Sequence, residues 1–307
     1  MVPVTFVIAN NLKIKPKPFL LNAILLSNIG GMATLIGDPP NILIGSAADI
    51  SFNDFLFHLG PISVFLTFLT SALLLWWYRK DLVAVPGAAE HIMAFHPRQA
   101  LTDIPLLIKS LIVLGIVVVG FFTHSITGLE GATIALSGAA LLLLLTMNEP
   151  EEYLREVEWP SIFFFIGLFI LVRGMEEVGA LHLLAEQVIH WTGGNLVFTS
   201  IAILWASAIF SAVVDNIPFV ATMIPIIKNL GEISEIALAP LWWALALGAD
   251  IGGNATIVGA SANVIVSGMA EKEGEKIGFF EYMKTAVPLT VLALLVSTVY
   301  LYFRYLV

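Results

Sequence analysis

Three carboxylates stand where the sequence is otherwise apolar. Asp38, Asp215 and Asp250 each interrupt a long run of Leu, Ile, Val, Ala and Phe. An ionised side chain in such surroundings is costly, and function is its default meaning. A carboxylate there can coordinate Na⁺, or exchange a proton where burial raises its affinity for one. Amides and hydroxyls recur beside the acids: Asn28, Thr34 and Asn41 around the first, Asn216 after the second, and Asn254, Thr256, Ser261 and Asn263 after the third. Together they form a candidate ion- or substrate-binding set, with Asp215, Asn216, Asn254 and Asn263 as the candidate Na⁺ ligands. Each also has a structural reading. Asp38 precedes Pro39 and Pro40, so it suits the N-cap of a helix. Asp215 precedes Asn-Ile-Pro, a turn-forming run. The asparagines and threonines can satisfy backbone groups freed where a helix breaks.

The elements that carry these residues lie in a bilayer. Of 307 residues, 58% are apolar and only 12% charged, about half the charge of a soluble domain. Mean hydropathy is +0.93. The apolar stretches are unbroken rather than alternating, which points to helices and away from a β-barrel. The net charge is −9, with no basic patch for nucleic acid, and cysteine is absent. Thiolate chemistry is therefore excluded. The chain reads as an all-α, multi-pass protein of the cell membrane, with the lipid bilayer as its main partner.

Full-length spans are expected at 59–78, 104–123, 129–147 and 286–303, with a shorter one at 159–173. Regions 19–48, 197–228 and 238–269 are apolar but interrupted by Gly, Pro, Asn and Asp. Such breaks are tolerated at membrane depth where they face protein or a wet cavity. The two arms of 197–228 are short, and 217–228 is too short to cross, so a re-entrant hairpin is expected there. With 19–48 and 238–269 each crossing, eleven basic residues fall on one side and three on the other. The richer side is cytoplasmic by the positive-inside rule.

A shift of 222 residues lays Asn28–Gly45 on Asp250–Ser267. Seven of 18 positions are identical and six more are Ile/Leu/Val or Asn/Asp exchanges, where composition alone gives roughly one or two identities. The shift also pairs Asp38 with Ala260, Asp250 with Asn28, and Asn254 with Met32, so the halves differ in charge. Glycines common to both breaks are expected to supply φ freedom and close approach. In the topology above the two broken segments cross in opposite directions. Inverted repeats with paired broken helices are the sequence signature of an alternating-access transporter. Residues 1–80 read as the remainder of the first inverted repeat, 81–103 as a linker, and 104–307 as the second repeat. The second repeat opens 119 residues before Met223, which pairs with Met1. An equal length upstream of Met1 is the symmetry expectation, and the missing partner hairpin would lie in it.

The runs Ser27–Asn41, Asp215–Pro225 and Gly252–Asn263, with Phe163–Val172, resemble the ion transporter superfamily. The likeness is nearest to the ArsB/NhaD permeases and the melanosomal P protein, which are related to the dicarboxylate/sodium symporters. It spans the chain and matches the carboxy-terminal two-thirds of a full member. The resemblance implies a scaffold domain, a moving transport domain, opposed re-entrant hairpins and a homodimer. It places Asp215 and Asn216 at the second hairpin tip, with Gly30–Asn41 and Gly252–Asn263 as the breaks. The function it implies is secondary active transport of an inorganic ion or small anion, driven by a Na⁺ or H⁺ gradient. Na⁺/H⁺ antiport, arsenite efflux and anion transport all remain open. No organic cofactor is expected; the coupling ion is Na⁺ or H⁺. No Gly-x-x-x-x-Gly-Lys motif exists, which excludes ATP drive within the chain. An intramembrane aspartyl protease would also use paired aspartates. Its Tyr-Asp, Gly-x-Gly-Asp and Pro-Ala-Leu runs are absent. A passive channel would need a continuous polar stripe, which these broken helices do not carry.

Overall fold

The computed structural model describes residues 2–83, 103–146, 149–234 and 236–307, and no strand occurs among them. The expected linker 81–103 falls almost entirely outside the described residues. The first group of helices is α1 (Val2–Leu12), α2 (Lys17–Gly31), α3 (Pro39–Ala48) and α4 (Phe52–Trp77). After the linker come α5 (Ile104–Thr127), α6 (Gly131–Thr146), α7 (Pro150–Arg155), α8 (Trp159–Glu177), α9 (Ala180–Thr192) and α10 (Leu196–Ser211). The chain ends with α11 (Asn216–Ile233), α12 (Ala239–Gly252), α13 (Ser261–Lys272) and α14 (Phe279–Leu301).

Local chemistry sets the boundaries. Ser51 and Asp54 form a reciprocal capping box that starts α4, two orphan donors being satisfied at once. Asp103 and Asn195 cap α5 and α10 through their side chains. Gly193 and Gly194, at φ +62° and +66°, turn the chain by 120° between α9 and α10. Two successive left-handed residues are a conformation that glycine adopts without steric cost.

Among the described residues, four helices are long and apolar enough to cross a bilayer: α4, α5, α8 and α14, the last with its continuation to Leu306. The helices at the expected 59–78 and 286–303 spans begin before the apolar stretches, because polar turns lead into them: a capped one at Ser51–Asp54 for α4 and an uncapped one after Gly278 for α14. The expected 129–147 span is a 16-residue helix. Helix α9 was not expected; its charged and His-bearing turns hide it from a hydropathy reading. The region expected as a hairpin, 197–228, holds α10 and α11 joined by the short segment 212–215. Its second arm is longer than expected, because the helix runs on through Lys228 and Glu232 to Ile233.

Symmetry-related helices run in opposite directions. Tyr78, beyond the C-terminus of α4, bonds Thr285 near the start of α14 at 2.9 Å. At the other end Arg304, just past α14, donates to the Phe57 carbonyl at 3.0 Å, and Tyr300 donates to that of His58. Both helices carry an internal proline, Pro61 and Pro288. Helices α2 and α12 enter from opposite ends. Lys17 begins α2 beside Glu281, whereas Trp243, early in α12, stacks on His58 at 4.7 Å between centroids. Their C-termini meet in the middle of the molecule.

Helix α12 is the axis of the fold, buried at every residue from Pro240 to Gly252. Gly248 and Gly252 let α10 lie directly against it. A Cβ on Gly252 would stand 2.4 Å from the Ala208 Cα, the close backbone contact that small residues permit between membrane helices. Helices α5, α6 and α8 bury few side chains and present apolar surface outward.

Candidate functional site

Each break is a short non-helical segment between two half-helices, at 32–38 and 253–260, the second opening with a tight turn over Gly253–Ala255. The same side chain closes both. Asn41 Nδ2 donates to the carbonyls of Gly31 and Thr34, each at 3.3 Å. Asn263 Nδ2 donates to those of Gly253 and Thr256, at 2.7 and 2.8 Å. These are corresponding atoms under the 222-residue shift. A broken helix frees carbonyls that bilayer water cannot reach, and an amide at this position satisfies two of them. The break glycines have ordinary negative φ, so the φ-freedom expectation is corrected. What they provide is proximity: a Cβ on Gly37 would lie 2.2 Å from the Gly31 oxygen, and one on Gly259 2.7 Å from that of Gly253.

One polar cluster is neutral and closed. Asn28 Nδ2 donates to Asn254 Oδ1 at 2.8 Å and to Asn263 Oδ1 at 3.0 Å. Asn254 Nδ2 reaches back to the Leu25 carbonyl at 3.2 Å. Tyr282, fully buried, donates to the Asn254 carbonyl at 2.8 Å. Thr256 Oγ1 bonds the Ala212 carbonyl at the hairpin tip at 2.6 Å. The second break and the tip are thereby held together.

The other cluster is acidic. Asp38 occupies the N-cap of α3, but its side chain makes no capping bond. Pro39 and Pro40 fill the first helical positions and have no N–H to offer, so the capping role is not realised. The Asp38 carboxylate instead accepts from Asn216 Nδ2 at 3.3 Å and faces Asp250, with Asp215 nearby. Asp250 is 1% exposed, and neither of its oxygens receives a hydrogen bond. It lies against Asn41, whose Oδ1 is also buried without a partner. Asp215 does act as a turn former, accepting from the Ile217 N–H at 3.2 Å.

The structure thus brings together nine of the eleven expected residues in these two clusters and the adjoining tip. Thr34 contributes its carbonyl. Ser261 is exposed at the start of α13 and joins neither cluster. The four candidate Na⁺ ligands do not converge on one point: Asn254 and Asn263 turn toward Asn28, and Asn216 toward Asp38. Sequence reasoning missed Tyr282 and Ser63, whose Oγ donates to the Ile29 carbonyl at 2.6 Å. Both lie in polar interruptions of α14 and α4, and the repeat alignment pairs Tyr282 with Phe55, hiding its role.

Known proteins resemble this chain in sequence. A family model described as citrate transporter matches residues 1–248, more than half of the chain. The protein belongs to the citrate transporter family. A 46 kDa membrane protein of Mycobacterium leprae is 41% identical over 99% of this chain and 72% of its own length. An uncharacterized transporter of Mycobacterium tuberculosis is 40% identical over the same shares. The mouse P protein is 32% identical over 99% of this chain and 46% of its own length. This membership makes the chain a polytopic membrane transporter of the secondary, ion-transporting type, and a transport protein rather than an enzyme. The likeness to the P protein read from the motifs reappears in these relatives. None of the three relatives' names mentions arsenite or Na⁺/H⁺ exchange.

Proposed function

We propose that the protein moves a small carboxylate-bearing anion of the citrate class, driven by a Na⁺ or H⁺ gradient, through the paired breaks. The observation that carries this reading is the asymmetry of the two half-helix starts. Helix α3 begins at Asp38, which suits a cation. Helix α13 begins at Ala260 with no side-chain cap and an exposed Ser261, so its N–H groups and positive dipole end suit an anion. The hairpin tip residues Asp215 and Asn216 lie beside the acidic cluster, where they can follow a bound cation. The family description supports the substrate class.

A second reading, Na⁺/H⁺ exchange without an organic substrate, is favoured by the facing carboxyls of Asp38 and Asp250. Arsenite efflux rests on the motif resemblance. The test is the purified protein in proteoliposomes. Labelled citrate should accumulate under an imposed inward Na⁺ or H⁺ gradient, and not under a K⁺ gradient. Proton release on Na⁺ addition without citrate uptake would favour exchange, and arsenite flux alone would favour the third reading. A homodimer is part of the proposal, since α5, α6 and α8 offer apolar faces that a second copy or lipid must cover.

A further inference from the structure

We propose that Asp250 and Asn41 form the seat of the coupling cation, the acidic counterpart of the closed Asn28–Asn263 pair. This deepens the transporter reading above and rests on it. Exchanging the two halves by 222 residues turns Asn28 into Asp250, Asn263 into Asn41, Asn254 into Met32 and Ala260 into Asp38. In one half, Asn28 supplies N–H groups to Asn263 Oδ1 and Asn254 Oδ1. In the other half, the same place holds an acid and has lost one of its partners to Met32.

The result is a group of buried acceptors that no hydrogen bond completes, with the Asn41 amide and the Asp38 carboxyl beside Asp250. Asp250 Oδ1, Asp250 Oδ2 and Asn41 Oδ1 are all buried and unpartnered, on two side chains that lie against each other. The Asn41 amide lies beside Asp250 without completing a hydrogen bond to it. Its Nδ2 already serves the Gly31 and Thr34 carbonyls, and a flip would aim Oδ1 at both. The surroundings add negative charge. Asp38 on α3 faces Asp250, and Asp215 stands behind Asp38. From α10, Ser211 is committed to the Ala249 carbonyl at 2.6 Å. Asp250 itself lies in the last turn of α12, the negative end of the helix dipole.

Buried acceptors beside a second carboxylate at a helix C-terminus require positive charge. A small monovalent cation supplies it. A proton on Asp250 supplies the missing donor, with the Asp38 carboxylate that it faces and the unpartnered Asn41 Oδ1 as acceptors. A Na⁺ ion takes the three unpartnered oxygens as ligands. Both have the same effect: occupancy joins α12 of one half to α3 of the other and neutralises the site. The bound state then resembles the Asn28–Asn263 pair, so cation binding tightens the contact between the two broken helices.

The test uses melting of the purified protein, which needs no substrate. With K⁺ held as the control ion, the melting temperature should rise by about 5 °C either with Na⁺ or with falling pH; which arm responds identifies the cation. Asp250→Asn mimics the neutral Asn28 donor and should melt near the occupied wild type, with its response to both ions abolished. Asp250→Ser, smaller and also neutral, is read the same way should Asp250→Asn fail to insert. A wild type indifferent to both ions, or a neutral variant that keeps the wild-type response, overturns the proposal. Counterflow of labelled citrate separates the two readings. Counterflow is read on the wild type, and gradient-driven accumulation should fall at least tenfold in Asp250→Asn. Absence of citrate counterflow in the wild type, with the melting response intact, defeats the substrate reading and leaves the cation seat standing.

Discussion

The Lys17 ammonium lies 2.6 Å from the Glu281 carboxylate, joining the first residue of α2 to the first turn of α14 across 264 residues. Lys15 pairs with Asp81 at 2.7 Å at the same end of the molecule. The loops gathered there are the ones that the basic-residue count assigns to the cytoplasm. The opposite end holds Arg304 against the α4 start. In this cysteine-free chain, single cysteines at Lys80 and Glu275 should resist an impermeant thiol reagent applied to intact cells, and one at Val307 should react. Labelling of the first two from outside would invert the orientation.

Close approach at the first break is testable at two neighbouring glycines. A methyl at Gly37 meets the Gly31 oxygen at 2.2 Å, whereas one at Gly30 meets nothing within 4 Å. Gly37→Ala forces backbone to move, and such overpacking costs about 1–3 kcal/mol. Gly30→Ala should be neutral or slightly stabilising, as alanine is the better helix former. Thermal melting in detergent reads both. Equal losses at the two positions would mean that the break is looser than its geometry indicates.

Asn41 and Asn263 play the same part with unequal strength. Asn263 makes bonds of 2.7 and 2.8 Å and also accepts from Asn28; the Asn41 bonds are both 3.3 Å. Replacing Asn263 with leucine orphans two carbonyls and an Asn28 N–H, at about 1–3 kcal/mol for each buried group. Asn41→Leu loses less, because it also removes an unpartnered oxygen. Asn263→Leu should therefore melt lower than Asn41→Leu, and the reverse order would contradict the hydrogen-bond geometry.

Much of this arrangement was legible in the residues. The 222-residue repeat located both breaks, and Asn41 and Asn263 occupy equivalent positions because identical broken turns need identical amides. Hydropathy missed α9, since His182, Glu186 and His190 dilute its apolar face. It also cut α11 short at Lys228, because a helix does not stop where its apolar run stops. The partners of the acids were harder to read. Nothing in the spacing says that Asn216 reaches Asp38, a contact between residues 178 apart, or that Asn254 turns toward Asn28 rather than toward the tip. Those contacts depend on how the two halves interlock.

The two aspartates around Asn216 should separate by role. Asp38 makes no capping bond and α3 opens with two prolines, so Asp38→Asn removes charge without removing helix support. It should insert and melt close to wild type. The loss should appear in coupling: the charge beside Asp250 and the acceptor for Asn216 both change, and accumulation should fall about tenfold or more. Asp215 accepts from the Ile217 N–H and lies partly exposed at the tip. In Asp215→Asn the amide oxygen can keep that bond, so its fold should also hold, with a smaller transport loss than in Asp38→Asn. Asp215→Ala loses the cap as well, at about 1 kcal/mol. Melting and gradient-driven uptake measured on the three variants decide the matter. Wild-type uptake in Asp38→Asn would leave its carboxylate a structural partner of Asn216 alone.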